Sequence, residues 1–263
     1  MTATAMQTTK TLAPEQIDSF HTHGYISIGP LLDSDTVETL RGEYDRVFAE
    51  ARQDNRFRNL AVNDTEDLQE KLDAEQQMLQ IMQMCERSMA FRQLLFDTRI
   101  LDIVEDLIGP NIQLFHDQAL FKPAHEGGAV FWHQDNAYWK CHPAQLVSCW
   151  LTLDDVDVYN GAMHLQPGSH LSNLGAEHAR SAQTGPLLDI GDQIDESRTK
   201  VVELPAGGVM FHHCQTLHYT PPNTTPHQRR AFAIHFMPPG TRSGHTGERL
   251  EVSFSRPMLR MHI

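Results

Sequence analysis

The stretch Val209-Met210-Phe211-His212-His213-Cys214-Gln215-Thr216-Leu217-His218-Tyr219 is followed by the turn-rich Pro221-Pro222-Asn223-Thr224-Thr225-Pro226 and then by Arg229-Arg230-Ala231-Phe232-Ala233-Ile234-His235. Apolar and β-branched runs separated by Pro and Asn clusters are the pattern of strands joined by turns. The run 209–219 is therefore expected to be one strand and 230–237 the next. His218 and Arg229 then stand at opposite ends of one hairpin turn and should be cross-strand neighbours. Working outward, 146–153 and 201–204 read as further strands. Several short strands of this kind suggest a double-sheet jelly roll.

The amino-terminal half has a different period. Pro14 to His23 reads as a short helix with Pro in its first turn and Gly24 just past its end, and Tyr25 to Ile28 as a strand. Asp33, Ser34 and Asp35 open a second helix, in which Val37, Leu40, Tyr44, Val47 and Phe48 form a buried stripe. The stretch 65–84 is polar and then Met- and Gln-rich, with the methionines expected in the core. Ser88 to Phe96 and Arg99 to Ile108 are again helical, closed by Gly109-Pro110, and strands take over from Asn111. Helices first and strands later give an α+β, mainly β chain with amino-terminal flanking helices. A disordered start over 1–12 and a single domain over 13–263 are expected. The stretch 171–200 lacks periodicity and reads as a surface excursion, a candidate lid carrying specificity.

Composition narrows the function. A formal net charge of −13 opposes a phosphate-contacting surface, so nucleic acid is not an expected partner. No apolar run is long enough to span a bilayer and the start lacks a secretory pattern, so a cytoplasmic protein without a membrane partner is expected. Cys85, Cys141, Cys149 and Cys214 show no metal-type or paired spacing and read as reduced structural thiols.

The densest chemistry lies in Phe131-Trp132-His133-Gln134-Asp135-Asn136-Ala137-Tyr138-Trp139. If the segment is extended, His133 and Asp135 share a face and offer one imidazole and one carboxylate. Two histidines and a carboxylate with open positions are what iron(II) oxygenases use to admit cosubstrate and dioxygen. His218 is the proposed third ligand, and His212, which shares its parity on an unbroken strand, is the rival. Parity also separates the arginines. Arg229 shares a face with Ala231, Ala233 and His235, which leaves room for a ligand, whereas Arg230 shares one with Phe232, Ile234 and Phe236. Its planar fork suits the remote carboxylate of a short keto diacid. Asn136, Tyr138, Trp139 and His116 are candidates for the substrate pocket.

With these residues in place, the sequence resembles the phytanoyl-CoA dioxygenase family of Fe(II)/2-oxoglutarate-dependent oxygenases. The likeness runs through Pro14-Glu15-Gln16-Ile17, Phe20, Gly24-Tyr25, His133-Gln134-Asp135, Trp150, Asn160-Gly161, Pro167-Gly168-Ser169-His170, His218 and Arg229, the last two eleven positions apart. It implies a double-stranded β-helix of the cupin-like kind, with iron held by His133, Asp135 and His218. It implies 2-oxoglutarate held by Arg229 with Trp150 and the Thr220 hydroxyl, Gln80 and Gln118 at further cosubstrate positions, and dioxygen as second cosubstrate. Lys122 fits a recurrent family pattern, and His213 sits where the family often has a non-ligating histidine. At Gln80 and Gln118 the chain departs from the human-type acyl-CoA enzymes. Retention of Asp135 favours oxygenation over halogenation. The expected activity is oxidation, by default hydroxylation, of a small organic molecule with release of succinate and carbon dioxide. Two rivals keep the fold without the oxygenase: a cupin-like zinc or manganese protein or hydrolase, which would not need Arg229, and a non-catalytic binding module.

Overall fold

The computed structural model describes residues 11–62, 65–171, 190 and 194–262. Thr11 and Leu12, placed in the expected disordered start, are held, both backbone N–H groups donating to Asp106 Oδ2 at 2.8 Å, and the rest of that start lies outside the described residues. Helix α1 spans Pro14–His23 and ends at Gly24, whose φ of +83° and N–H bond to the Phe20 carbonyl close the last turn. Strand β1 follows over Tyr25–Pro30. Helix α2, Ser34–Gln53, begins at Asp33, whose carboxylate accepts the Thr36 N–H at 2.8 Å. The described part of 65–84 divides into α3 (Leu68–Leu72) and β3 (Leu79–Met82), preceded by the short β2 (Arg58–Asn59). Helices α4 (Met89–Leu94) and α5 (Thr98–Ile108) complete the flank.

From β4 (Ile112–Lys122) onward the chain is mainly strand, in two antiparallel sheets. The larger has eight strands, with β4 and β11 (Arg229–Met237) paired along their length and β6 (Val147–Thr152), β9 (Gly208–His213) and β1 continuing it on one side. On the other side lie β3 and β2, and β12 (Met258–Arg260) also pairs with β4. The smaller sheet runs β5 (Val130–His133), β10 (His218–Thr220), β7 (Met163–Leu165), β8 (Lys200–Val202).

Strand parity sorts the larger sheet into two faces. Phe232, Ile234 and Phe236 of β11, with Phe211, Cys149 and Leu151, meet the helical stripe of Val37, Leu40, Tyr44, Phe91, Ile100 and Val104 in one core. Each of these large side chains contributes about 1.5–3 kcal/mol on burial. The opposite face presents Trp150, Met210, Ala231 and Ala233 toward Met163, Leu165 and Val202 of the smaller sheet. Two facing antiparallel sheets with helices packed outside are the jelly roll of the double-stranded β-helix.

Two expectations about 209–235 are corrected. The run 209–219 is not one strand: β9 ends at His213, the chain crosses between sheets through 214–217, and β10 begins at His218. His218 and Arg229 are consequently not neighbours in one ladder, because β10 belongs to the smaller sheet and β11 to the larger. Pro221 and Pro222 have no N–H to carry a ladder past Thr220, and Asn223 fixes the wide connection by donating from Nδ2 to the carbonyls of Pro123 and His227. Most of the 171–200 excursion lies outside the described residues. All four cysteines are buried and free. Among the described residues no helix is long and apolar enough to cross a membrane.

Candidate active site

His133 is the last residue of β5, Gln134 remains extended, and Asp135 opens the short helix α6 (Asp135–Trp139). The extended backbone up to Gln134 keeps the two side chains on one side, as the spacing requires. His218, first in β10, lies directly opposite His133, with ring centroids 4.2 Å apart. Each imidazole is backed by a carbonyl two residues earlier: His133 Nδ1 lies 2.7 Å from Phe131 O and His218 Nδ1 2.9 Å from Thr216 O. Both Nδ1 atoms therefore carry a hydrogen, which leaves Nε2 as the nitrogen each ring can offer a metal. Those Nε2 atoms each stand 3.7 Å from Asp135 Oδ1, and all three residues are buried. Among the described residues this is the one group of His, Cys, Asp or Glu side chains whose donor atoms gather tightly enough to hold a metal, within 4.8 Å of one another.

Burial works against the Asp135 carboxylate, but the facing imidazoles of His218, His133 and His212 outweigh it and hold its pKa well below the usual carboxylate range. Burial, and then the adjacent His133, pushes His218 well below the ordinary imidazole value, so it is neutral. A carboxylate and two imidazole nitrogens gathered at the edge of a cavity fit a divalent ion of the first transition row.

Arg229 faces the same cavity from the larger sheet. It is 1% exposed; Nη1 donates to the Leu120 carbonyl at 3.1 Å, while Nε and Nη2 have no hydrogen-bond partner. Burial lowers its pKa to about 10, which still leaves a full cation at neutral pH. The Trp150 ring lies 5.8 Å from the guanidinium carbon, and Thr220 Oγ1 is a third buried polar atom without a partner. A buried cation with two unused donors beside an unused hydroxyl fits a carboxylate-bearing cosubstrate. Arg230 points to the other face and pairs with Asp154 at 2.7 Å and Asp45 at 3.0 Å, as parity anticipated. Lys122, opposite Arg229 in the ladder, is fully buried, its Nζ donating to the carbonyls of Thr220 at 3.1 Å and of Pro221. It ties β4 to the end of β10.

The other expected residues fall into place unevenly. Gln80 and Gln118 line the cavity, of about 290 Å³, but Gln80 Nε2 donates to Gln118 Oε1, and Gln118 Nε2 meets His235 Nε2 at 3.0 Å. His212 is not in the metal group; its Nε2 donates to Asp135 Oδ2 at 3.1 Å. His213 accepts the Gln215 N–H at 3.2 Å and packs against His170. Asn136 uses its side chain to hold Cys141. Tyr138, Trp139 and His116 do line the cavity, Tyr138 edge-on to His133 at 5.5 Å. Ser148 was not singled out from the sequence, and His235 only as a member of the Arg229 face, which lines the cavity. The signal was present in parity, since Ser148 shares a face with Trp150 and His235 with Arg229.

The two sheets, this His-Asp-His group and a family match over most of the chain define the class, the Fe(II)/2-oxoglutarate-dependent oxygenases. Residues 20–231 match the family Phytanoyl-CoA dioxygenase (PhyH), and the chain belongs to that family. It is similar to a probable alpha-ketoglutarate-dependent hypophosphite dioxygenase of Stutzerimonas stutzeri, 31% identical over 142 residues that are 52% of this chain and 49% of the relative. The chain thus spans about half the length of that relative. Among solved structures, the non-heme alpha ketoglutarate dependent carbocyclase SnoK from nogalamycin biosynthesis superposes with a TM-score of 0.76 at 21% identity, covering 94% of this chain and 96% of that one. The epimerase SnoN in complex with Fe3+, alpha ketoglutarate and nogalamycin RO does so with 0.73 at 20% identity, covering 94% and 98%.

Proposed function

We propose that this chain uses iron(II), 2-oxoglutarate and dioxygen to hydroxylate a small organic molecule, with release of succinate and carbon dioxide. His133 and His218 would bind the metal through Nε2 and Asp135 through Oδ1, the three atoms that already converge. Bound there, ferrous iron supplies the activation of dioxygen and the oxidative decarboxylation of the keto acid. Arg229 receives the remote carboxylate of 2-oxoglutarate on its Nε and Nη2 donors, and the Thr220 hydroxyl adds a further hydrogen bond. Trp150 lies beneath that guanidinium, and Ala231 and Ala233 keep the floor low. Gln118 and Gln80, held by each other, line the same cavity. Leu60, Met78, Tyr138 and Trp139 give the remaining wall an apolar character that excludes water and positions a substrate carbon near the metal.

The observation that carries this reading is Arg229, a buried guanidinium with two unpaired donors in the cavity of the metal group. A structural or hydrolytic metal site has no use for it. Anaerobic addition of iron(II) and 2-oxoglutarate should produce the weak visible charge-transfer band of a chelated keto acid, and Arg229→Met should lose the band at the same keto acid concentration while still binding metal. A wild-type chain without the band would overturn the assignment. Incorporation of labelled dioxygen into product separates hydroxylation from epimerisation or cyclisation.

A further inference from the structure

Asp135 is held at both ends of its carboxylate, and the two ends do different things. Oδ1 faces the imidazoles of His133 and His218, while Oδ2 takes the Ser148 hydroxyl at 2.9 Å and the His212 N–H at 3.1 Å. An ionised carboxylate only accepts, so Ser148 spends its single hydrogen on Asp135. The other contact of Ser148 Oγ, 2.7 Å from His235 Nδ1, must then be one in which the hydroxyl accepts and the ring donates. That fixes the hydrogen of His235 on Nδ1. The opposite nitrogen meets Gln118 Nε2 at 3.0 Å, and Gln118 Oε1 accepts from Gln80. His235, which is 2% exposed, is driven by burial toward the neutral ring, so its Nε2 accepts from the amide. Every donor in the series Gln80, Gln118, His235, Ser148 thus points the same way, toward Asp135.

We propose that His235 is a positioning residue for the metal carboxylate, acting through Ser148 to hold Asp135 Oδ2 away from the metal and so present Oδ1 alone. The relay spans both halves of the site. Ser148 and His235 sit opposite each other in the β6 and β11 pair, which also carries Trp150, and Gln118 belongs to β4 on the far side of β11. Ala in place of Ser148 would leave the Nδ1 hydrogen without an acceptor and Oδ2 with one donor instead of two. This inference rests on the metal-site reading above.

The test uses the full chain and manganese(II) alone, with no turnover. In the metal-free wild type, long-range nitrogen-15 NMR of the imidazoles, assigned by the signal missing from His235→Asn, should show His235 as the Nδ1–H tautomer; the Nε2–H tautomer would overturn the proposal. His235→Phe and Ser148→Ala should each weaken manganese binding roughly 10- to 100-fold. The double variant should be no weaker than either single one, because both break the same series. His235→Asn, whose amide can occupy the Nδ1 position, should recover most of the affinity, which mere filling of space by Phe would not. Wild-type manganese affinity in His235→Phe would overturn the proposal and leave the metal site standing. Failure of the wild type to bind manganese would overturn the metal-site reading, and this proposal with it.

Discussion

His133 and His218 face each other across the β5 and β10 pair, each with its Nδ1 hydrogen tied to the carbonyl two residues before it and its Nε2 turned to the same oxygen of Asp135. The backbone therefore fixes both tautomers before any metal arrives. A metal bound there would add a cross-link between adjacent strands at the mouth of the smaller sheet.

Removing His218 should abolish metal binding, whereas removing His212 should only weaken it. His218→Ala deletes one of three donors; His212→Ala deletes a hydrogen bond to Asp135 Oδ2, a loss of roughly 10-fold or more in affinity. Thermal unfolding with and without manganese(II) reports both: the wild-type shift should vanish in the first variant and shrink in the second. The reverse ranking would make His212 the third ligand.

Arg229→Met should trade function for stability. The buried guanidinium leaves two donors unpaired, so an apolar side chain of similar length should stabilise the ligand-free protein by about 1–3 kcal/mol. For a chain of this size each kcal/mol is worth roughly 2–4 °C in Tm. The same variant should bind 2-oxoglutarate at least roughly tenfold more weakly by calorimetry, since a charged hydrogen bond is worth about 1.5–3 kcal/mol. Arg229→Lys should not rescue binding, because a point charge cannot replace the fork.

Asp117, fully buried on β4, should give stability a pH dependence away from the active site. Its Oδ1 accepts the Cys85 N–H at 3.1 Å, Oδ2 has no partner, and burial raises its pKa to about 6. The folded form then binds its proton more tightly than the unfolded one, so stability is greatest below the unfolded value near 4, falls as pH rises to about 6, and is flat beyond. In urea unfolding, Asp117→Asn should lack this loss, and its advantage over wild type should grow between pH 4 and 6 to about 1–3 kcal/mol. A constant difference across that range would show that Asp117 does not titrate there.

Gly24→Ala should destabilise the junction of α1 and β1. Gly24 adopts φ +83°, and an added Cβ would lie 2.4 Å from Thr216 Oγ1 and 2.5 Å from His170 Nδ1. Thr216 Oγ1 also donates to the Gly24 carbonyl at 2.8 Å, so the clash falls on the segment leading into His218. A loss of about 1–3 kcal/mol is expected by chemical denaturation, with weaker manganese binding as the second readout.

The sequence by itself determined α1, α2, α4 and α5 and the separation of Arg229 and Arg230 onto opposite faces of one strand. Both follow from periods of 3.6 and 2 that are imposed by local backbone geometry. α1 and the stripe on α2 lie where the pattern of Pro14, Gly24, Val37, Leu40 and Tyr44 put them. The His-x-Asp pair was legible too, because two residues of extended chain keep side chains together. Only the tertiary structure decided that His218 and Arg229 belong to different sheets, that His212 hydrogen-bonds to Asp135, and that Ser148 joins Asp135 to His235. Those facts depend on which strands pair and which faces oppose, contacts between segments as far apart as 13, 77 and 87 positions that no local period encodes.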